Sequence, residues 1–279
     1  MIVTDHRNPP YGITTIAYQT DTLTVTEPTP NPPAATPSLA QLARRGRNVD
    51  IDALRDNLDV FNTALEPLSP TQIMRWAART FGASASLSCS FGGPSGMVLL
   101  HILATESMPF NVYFIDTGFL FPETHELARE VKARYGIDPH RFFPRLSLAQ
   151  QIASTEDALW KSDPDLCCSI RKVEPNHRAL DGQLAWISGL RRDQSPGRAS
   201  APVLSWSEKF GVFKIGPLVS WTEDKVWSYV RRHDIPYNRL HDQGLPSLGC
   251  THCTAAPEGA DLRSGRWAGH AKTECGLHI

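Results

Sequence analysis

The chain has 279 residues, and its 28 Lys and Arg nearly balance 29 Asp and Glu, for a formal net charge of -1. That length supports a full core in one large α/β domain or about two smaller ones, and the balance excludes a bulk polyanion or nucleic-acid binder. Apolar runs such as Met97–Ala104 are too short for a bilayer, and the start has no secretory-signal pattern, so a soluble cytoplasmic protein without a membrane partner is expected.

The first elements follow in chain order. Residues 1–47 read as a tail rich in Pro and Thr, with five prolines between Pro28 and Pro37. Such a composition buries too little apolar surface to offset its ordering entropy, so disorder is expected there. An α/β domain over 48–253 and a mobile C-terminal segment over 254–279 complete the expected organisation. A helix is expected from Val49 to Leu65. Ser69 caps the next helix, with Pro70 at its first position, and Ile73, Trp76 and Ala77 carry it to Gly82.

Next come a strand at Ala85–Ser90, a loop at Gly92–Gly96 and a helix at Met97–Glu106. Asn111–Asp116 reads as a strand, Pro122–Tyr135 as a helix, and Arg141–Phe143 and Ala185–Ser188 as strands. Asp165–Leu180 looks helical, with Pro175 as a kink. Trp221–Asp224 opens a last helix, its acidic residues suited to the helix dipole. Strands alternating with helices predict a doubly wound, mostly parallel α/β sheet. No internal repeat is present.

Three loops carry candidate chemistry. Ser88-Cys-Ser-Phe-Gly-Gly93 lies between a strand and a helix N-terminus, where backbone N–H groups and hydroxyls cradle an anion. It lacks the Gly-Lys-Ser/Thr ending of a Walker A loop, and an ordinary tight turn is the plainer reading. Asp116-Thr-Gly118 falls at the carboxyl end of the second strand, where such sheets bind ligands. Gly189–Arg198 places Arg191, Arg192 and Arg198 in one loop, a pattern that suits a doubly anionic ligand or else a solvated surface.

Six cysteines are too few for a disulfide scaffold. In a reducing compartment their spacing points to metal or redox chemistry. Cys167-Cys168 and Cys250-x-x-Cys253 form two pairs, enough for one zinc ion or one [4Fe-4S] cluster. Adjacent ligands would be strained on one zinc, whereas a cubane offers each its own iron. Cys275 sits near Lys272 and His278, whose positive charge would favour its thiolate. Cys89 reads as a small core residue.

Four stretches make the chain resemble the assimilatory adenylyl-sulfate and phosphoadenylyl-sulfate reductases. They are Ser88-Cys-Ser-Phe-Gly, Asp116-Thr-Gly-Phe-Leu-Phe-Pro-Glu-Thr124, Trp186-Ile-Ser-Gly-Leu-Arg-Arg-Asp-Gln-Ser-Pro196 and Lys272-Thr-Glu-Cys-Gly-Leu-His278. The likeness spans residues 70 to 279. It implies a fold like the PP-loop adenine-nucleotide hydrolases, with a C-terminal catalytic tail. The two cysteine pairs resemble those of the branch with a [4Fe-4S] cluster, which implies Cys167, Cys168, Cys250 and Cys253 as ligands and adenylyl sulfate as substrate. A phosphoadenylyl-sulfate or dual-specificity reductase is the nearest alternative. An adenylating ATP pyrophosphatase and a zinc-binding interaction module are more remote.

The resemblance implies that Cys275 is the nucleophile, forming an S-sulfonate that thioredoxin or glutaredoxin then reduces. It implies Lys172 beside both cluster and substrate. Arg198, Arg263 and Arg266 would hold anionic oxygens, and His278 would lie near the nucleophile. Ser88, Ser90, Thr117 and Gly189 would line the nucleotide pocket. Gly93-Pro-Ser-Gly96 departs from the family's acidic pair. The chain stops at Ile279, short of the thioredoxin-like domain of plant relatives, so a separate donor protein is expected. The sequence leaves a homo-oligomer open.

Overall fold

Six short strands form the centre of the fold, and their carboxyl ends set the site. In the computed structural model, residues 50–154, 158–259 and 261–278 are described; the expected tail over 1–47 lies outside them. The strands are β1 (Ala85–Ser88), β2 (Asn111–Ile115), β3 (His140–Phe142), β4 (Ala185–Ile187), β5 (Leu204–Ser207) and β6 (Val212–Ile215). Their order is β3-β2-β1-β4-β6-β5. All neighbours are parallel except β5 and β6. β1 pairs Leu87 with Val112 of β2 on one side and with Ile187 of β4 on the other. All three residues of β4 are buried, as expected for a strand covered on both faces.

Ten α-helices are described: α1 (Ile51–Asp56), α2 (Leu58–Leu65), α3 (Pro70–Phe81), α4 (Pro94–Thr105), α5 (Pro122–Tyr135), α6 (Leu148–Ser154), α7 (Leu159–Ser162), α8 (Pro164–Cys168), α9 (Glu174–Leu180) and α10 (Glu223–Arg232). None is long and apolar enough to cross a membrane. α3 starts as the sequence predicts, with a reciprocal capping box. Gln72 N–H donates to Ser69 Oγ at 3.3 Å, and the Gln72 side chain accepts from Ser69 N–H at 2.9 Å. α5 matches its expected bounds and ends on Gly136 at φ 67°.

Four expectations need correction. The single helix over 49–65 is two helices, broken at Asn57, whose side chain donates back to Ala53 O at 2.7 Å. α4 begins at Pro94 rather than Met97, because Pro94 occupies a position whose N–H needs no helical partner. The β5–β6 hairpin was not expected; it turns through Gly211 at φ 65°, and each strand has only four residues. The stretch 165–180 is not one kinked helix. A π-helical turn, Ser169–Val173, separates α8 from α9. Pro175 cannot donate its share of the helical bonds, and the wider turn before it absorbs the defect.

The chain leaves β1 toward β2 and later returns to β4 on β1's other side. This is a topological switch point. The loops after β1 and β4 diverge there and open a crevice.

Candidate active site

A cleft of about 540 Å³ occupies that crevice. Ser88, Ser90, Thr117, Lys172, Gly189, Arg198, Arg263, Arg266, Cys275 and His278 all line it. The sequence thus places every expected nucleotide-contacting residue, and the expected nucleophile, on one surface.

The loop after β1 is rigid for local reasons. Ser88 Oγ accepts the Trp186 indole N–H at 2.7 Å, and Ser90 Oγ accepts Gly92 N–H at 3.3 Å. Phe91 is fully buried at φ 54°, a conformation costly for a non-glycine residue. Its carbonyl accepts from buried Asn238 at 3.0 Å, and Asn238 also donates to Thr124 Oγ1 at 3.1 Å. Gly189 lets the end of β4 approach the start of α4. A Cβ there would lie 2.9 Å from Ser95 Cβ and 3.0 Å from Gly96 N. Cys89 packs beneath the loop, and burial pushes its thiol up to about 12, in line with a core role.

The three arginines of the loop after β4 do not act together. Arg192 turns away and pairs with Glu66, so the expectation that it faces a ligand is wrong. Arg191 is buried and neutralised by Asp193 and Glu223, with Ser95 Oγ at 2.5 Å. Arg198 stays in the cleft wall and is gripped by Glu274. Two acids that periodicity could not place there, Glu66 and Glu223, consume two of the three cations.

Behind the cleft, the four paired cysteines line one small cavity with Phe119, Trp160, Pro164, Arg171, Lys172 and His252. α8 supplies Cys167 and Cys168, and the loop after Gly249 supplies Cys250 and Cys253. Among the described residues, no three His, Cys, Asp or Glu converge on a single-ion site. Burial first, then neighbouring thiolates, pushes Cys167 up to about 12; burial likewise raises Cys168 and Cys253. Thiols crowded in this way lose their protons only with cations or a metal group close by. Arg171 Nη2 and Trp267 Nε1 are buried without a hydrogen-bond partner. Four thiols around a void, with orphaned donors beside it, suit a multi-iron cluster with sulfide acceptors better than one ion. The cysteine cavity and the cleft share a wall: Lys172 and Cys250 line both. Thr117 Oγ1 lies 3.3 Å from Cys250 Sγ.

Residues 261–278 return to the body, so Cys275 lies half-buried in the cleft. Lys209 and Lys214 donate to the carbonyls of Gly276 and His278 at 2.6 and 3.0 Å. The His278 ring stacks on Trp186 at 5.0 Å. Burial and the charges of Arg198, Lys214 and Arg263 hold its pKa well below the ordinary value. Lys272 pairs with Asp165. The cations expected to favour the Cys275 thiolate are therefore not these two. Lys172 is the cation set among the thiols: burial opposes its charge, but Cys250, Cys275 and Cys168 outweigh burial and raise its pKa.

Sequence reasoning missed Glu274, Asn238 and Trp267. Glu274 lay inside a quoted motif yet was passed over beside its cysteine. Trp267, at φ 50°, underlies Lys172, Arg266 and Lys272, whose cationic groups lie 5.7, 4.6 and 5.6 Å from its ring.

The chain is similar to known proteins. The phosphoadenosine phosphosulfate reductase domain matches residues 84–256. The chain is 46% identical over 223 residues to an adenosine 5'-phosphosulfate reductase of Salinibacter ruber, covering 79% of this chain and 88% of that one. It is 49% identical over 208 residues to adenosine 5'-phosphosulfate reductase 2 of Bacillus subtilis, covering 74% and 88%. A crystal structure of phosphoadenylyl-sulfate reductase from Candida auris, in a phosphate complex, superposes with a TM-score of 0.62 at 34% identity, covering 74% of this chain and 96% of that one. With its matched domain, mostly parallel sheet and switch-point cleft, the chain belongs to the phosphoadenosine phosphosulfate reductase family.

Proposed function

We propose that the protein reduces adenylyl sulfate to sulfite and AMP in assimilatory sulfate reduction, using a thioredoxin-type dithiol in the cytoplasm. The observation that carries this reading is the position of Cys275. It lines the same cleft as the loop after β1, and Lys172 and Cys250 line both that cleft and the four-cysteine cavity. The relatives that bear the adenosine 5'-phosphosulfate name support the choice of nucleotide.

The Cys275 thiolate attacks the sulfur of adenylyl sulfate, the sulfur–oxygen bond to phosphate breaks, and AMP leaves. The Cys275 S-sulfonate is then attacked at Sγ by a donor thiolate. Sulfite departs, and the donor's second thiol resolves the mixed disulfide, supplying two electrons overall. Lys172, Arg263 and Arg266 screen the negative charge that otherwise repels the nucleophile. Ser88, Ser90, Thr117 and Gly189 shape the nucleotide side of the cleft. Cys167, Cys168, Cys250 and Cys253 would hold a [4Fe-4S] cluster, whose charge would orient Lys172 when bound.

Turnover with adenylyl sulfate and with its 3′-phosphorylated form tests the substrate. A higher kcat/KM for adenylyl sulfate is expected, and a preference for the other nucleotide overturns that choice. Cys275→Ser should release no sulfite while still binding AMP; full activity in that variant refutes the nucleophile.

A further inference from the structure

The motif around Cys275 contains one acidic side chain, Glu274, between Lys272 and His278. Its carboxylate is buried, with 6% of its surface exposed. Arg198 meets it as a fork: Nε donates to Oε1 at 2.6 Å and Nη2 to Oε2 at 2.5 Å. Ser195 Oγ donates to Oε1 at 3.1 Å, and Arg263 Nη2 stands 3.6 Å from Oε2. The remaining terminal nitrogen of Arg198, Nη1, donates to Gln194 Oε1 at 2.5 Å. Every nitrogen of Arg198 is thus engaged by the protein itself.

We propose that Glu274 is a positioning residue that fixes the adjacent Cys275 over the cleft through Arg198, and that Arg198 serves the tail rather than the nucleotide. The proposal rests on the reading of Cys275 as nucleophile. Lys272 pairs with Asp165 and His278 stacks on Trp186 at the two ends of the tail, and its remaining contacts are cations donating to backbone carbonyls: Arg263 to Thr273, Lys209 to Gly276 and Lys214 to His278. Such contacts tolerate a slide of the chain by one residue, because each residue offers a carbonyl. A side-chain fork does not, because Glu274 is the one carboxylate in Lys272–His278. The bidentate pair therefore sets the register of the tail, and with it which side chain faces Lys172. A buried pair is a poor source of net stability but a strong source of specificity, since either partner alone is stranded without water.

The test uses the full chain with Glu274→Gln, Glu274→Asp, Arg198→Gln and the double Gln variant. Three quantities are read: the single-turnover rate of Cys275 S-sulfonate formation, the Kd for AMP, and the rate of Cys275 alkylation by iodoacetamide, followed on its peptide by mass spectrometry. Glu274→Gln should slow sulfonation by about tenfold or more, because misplacement of about 1 Å is costly for a reacting group. It should leave the AMP Kd within about twofold and speed alkylation of Cys275. Glu274→Asp should recover part of the rate. Arg198→Gln should cost less than about twofold once Glu274 is already Gln, since both act through one contact. Additive losses, or a tenfold weaker AMP Kd in Arg198→Gln alone, overturn the proposal and give Arg198 to the nucleotide. Unchanged alkylation in Glu274→Gln overturns the docking role by itself. An active Cys275→Ser protein instead overturns the nucleophile, so the two failures are distinct.

Discussion

Gly249→Ala tests how the wall between the two cavities is built. A Cβ at Gly249 would fall 2.0 Å from Arg266 Nη2 and 2.6 Å from Cζ. The guanidinium is pinned where it is. Nε donates to Cys253 O and Nη1 to Leu248 O, each at 2.9 Å, and the group lies 4.6 Å from the Trp267 ring centroid. Restoring van der Waals contact moves Nη2 by more than about 1 Å, which breaks both bonds as hydrogen bonds. Charged hydrogen bonds contribute about 1.5–3 kcal/mol each, and water returns part of that, so the loss is about 2–4 kcal/mol. For a chain of this size that lowers Tm by about 5–15 °C. Thermal melts of Gly249→Ala, Arg266→Ala and the double variant measure it. In the Arg266→Ala background the added methyl should cost less than about 0.5 kcal/mol, because the obstructing group is gone. An equal cost in both backgrounds refutes the reasoning.

Other predictions follow from the same geometry. Gly189→Ala should weaken AMP binding by about tenfold, since the β4 end can no longer close on α4; calorimetric titration with AMP at wild-type affinity would count against it. Acid should release the tail. The neutral His278 ring contributes fully above its ordinary pKa of 6.5, and that contribution falls by up to about 1.4 kcal/mol per pH unit below it. Glu274 acts in the same direction: burial raises its pKa, but Arg198 and Arg263 prevail and lower it from 4.5. Its contribution is present above 4.5 and is lost as pH falls through the lower folded value. Hydrogen exchange of residues 270–278 should rise between pH 6.5 and 4 beyond the intrinsic rate; flat protection would reject this. Cys250→Ser should lose bound iron and visible absorbance after anaerobic purification, and full iron content would remove Cys250 from the ligand set.

Local signals carried much of the fold. Ser69 with Pro70, and Pro122 with Gly136, mark helix ends through capping chemistry that needs no tertiary context, and both helices form as the sequence predicts. The β5–β6 hairpin escaped notice because strands of four residues show too little alternation, and what stabilises them is the pairing of β6 with β4 and of β5 with β6. The gathering of site residues was legible from motifs. Their partners were not: Glu66 reaches Arg192 across 126 residues and Glu274 reaches Arg198 across 76. A cation read in sequence is only half of a charge pair. The structure decides whether a protein carboxylate or a ligand supplies the other half.

The wall that Lys172 and Cys250 form between cleft and cysteine cavity has a thermodynamic consequence. A ligand on either side acts on the same few atoms, so the two binding free energies are linked. Linkage is reciprocal: by whatever factor an occupied cysteine cavity strengthens nucleotide binding, bound nucleotide strengthens retention of that occupant. Nucleotide in the cleft and occupancy of the cysteine cavity are then one shared equilibrium, and damage on either side of Lys172 registers on the other as lost affinity.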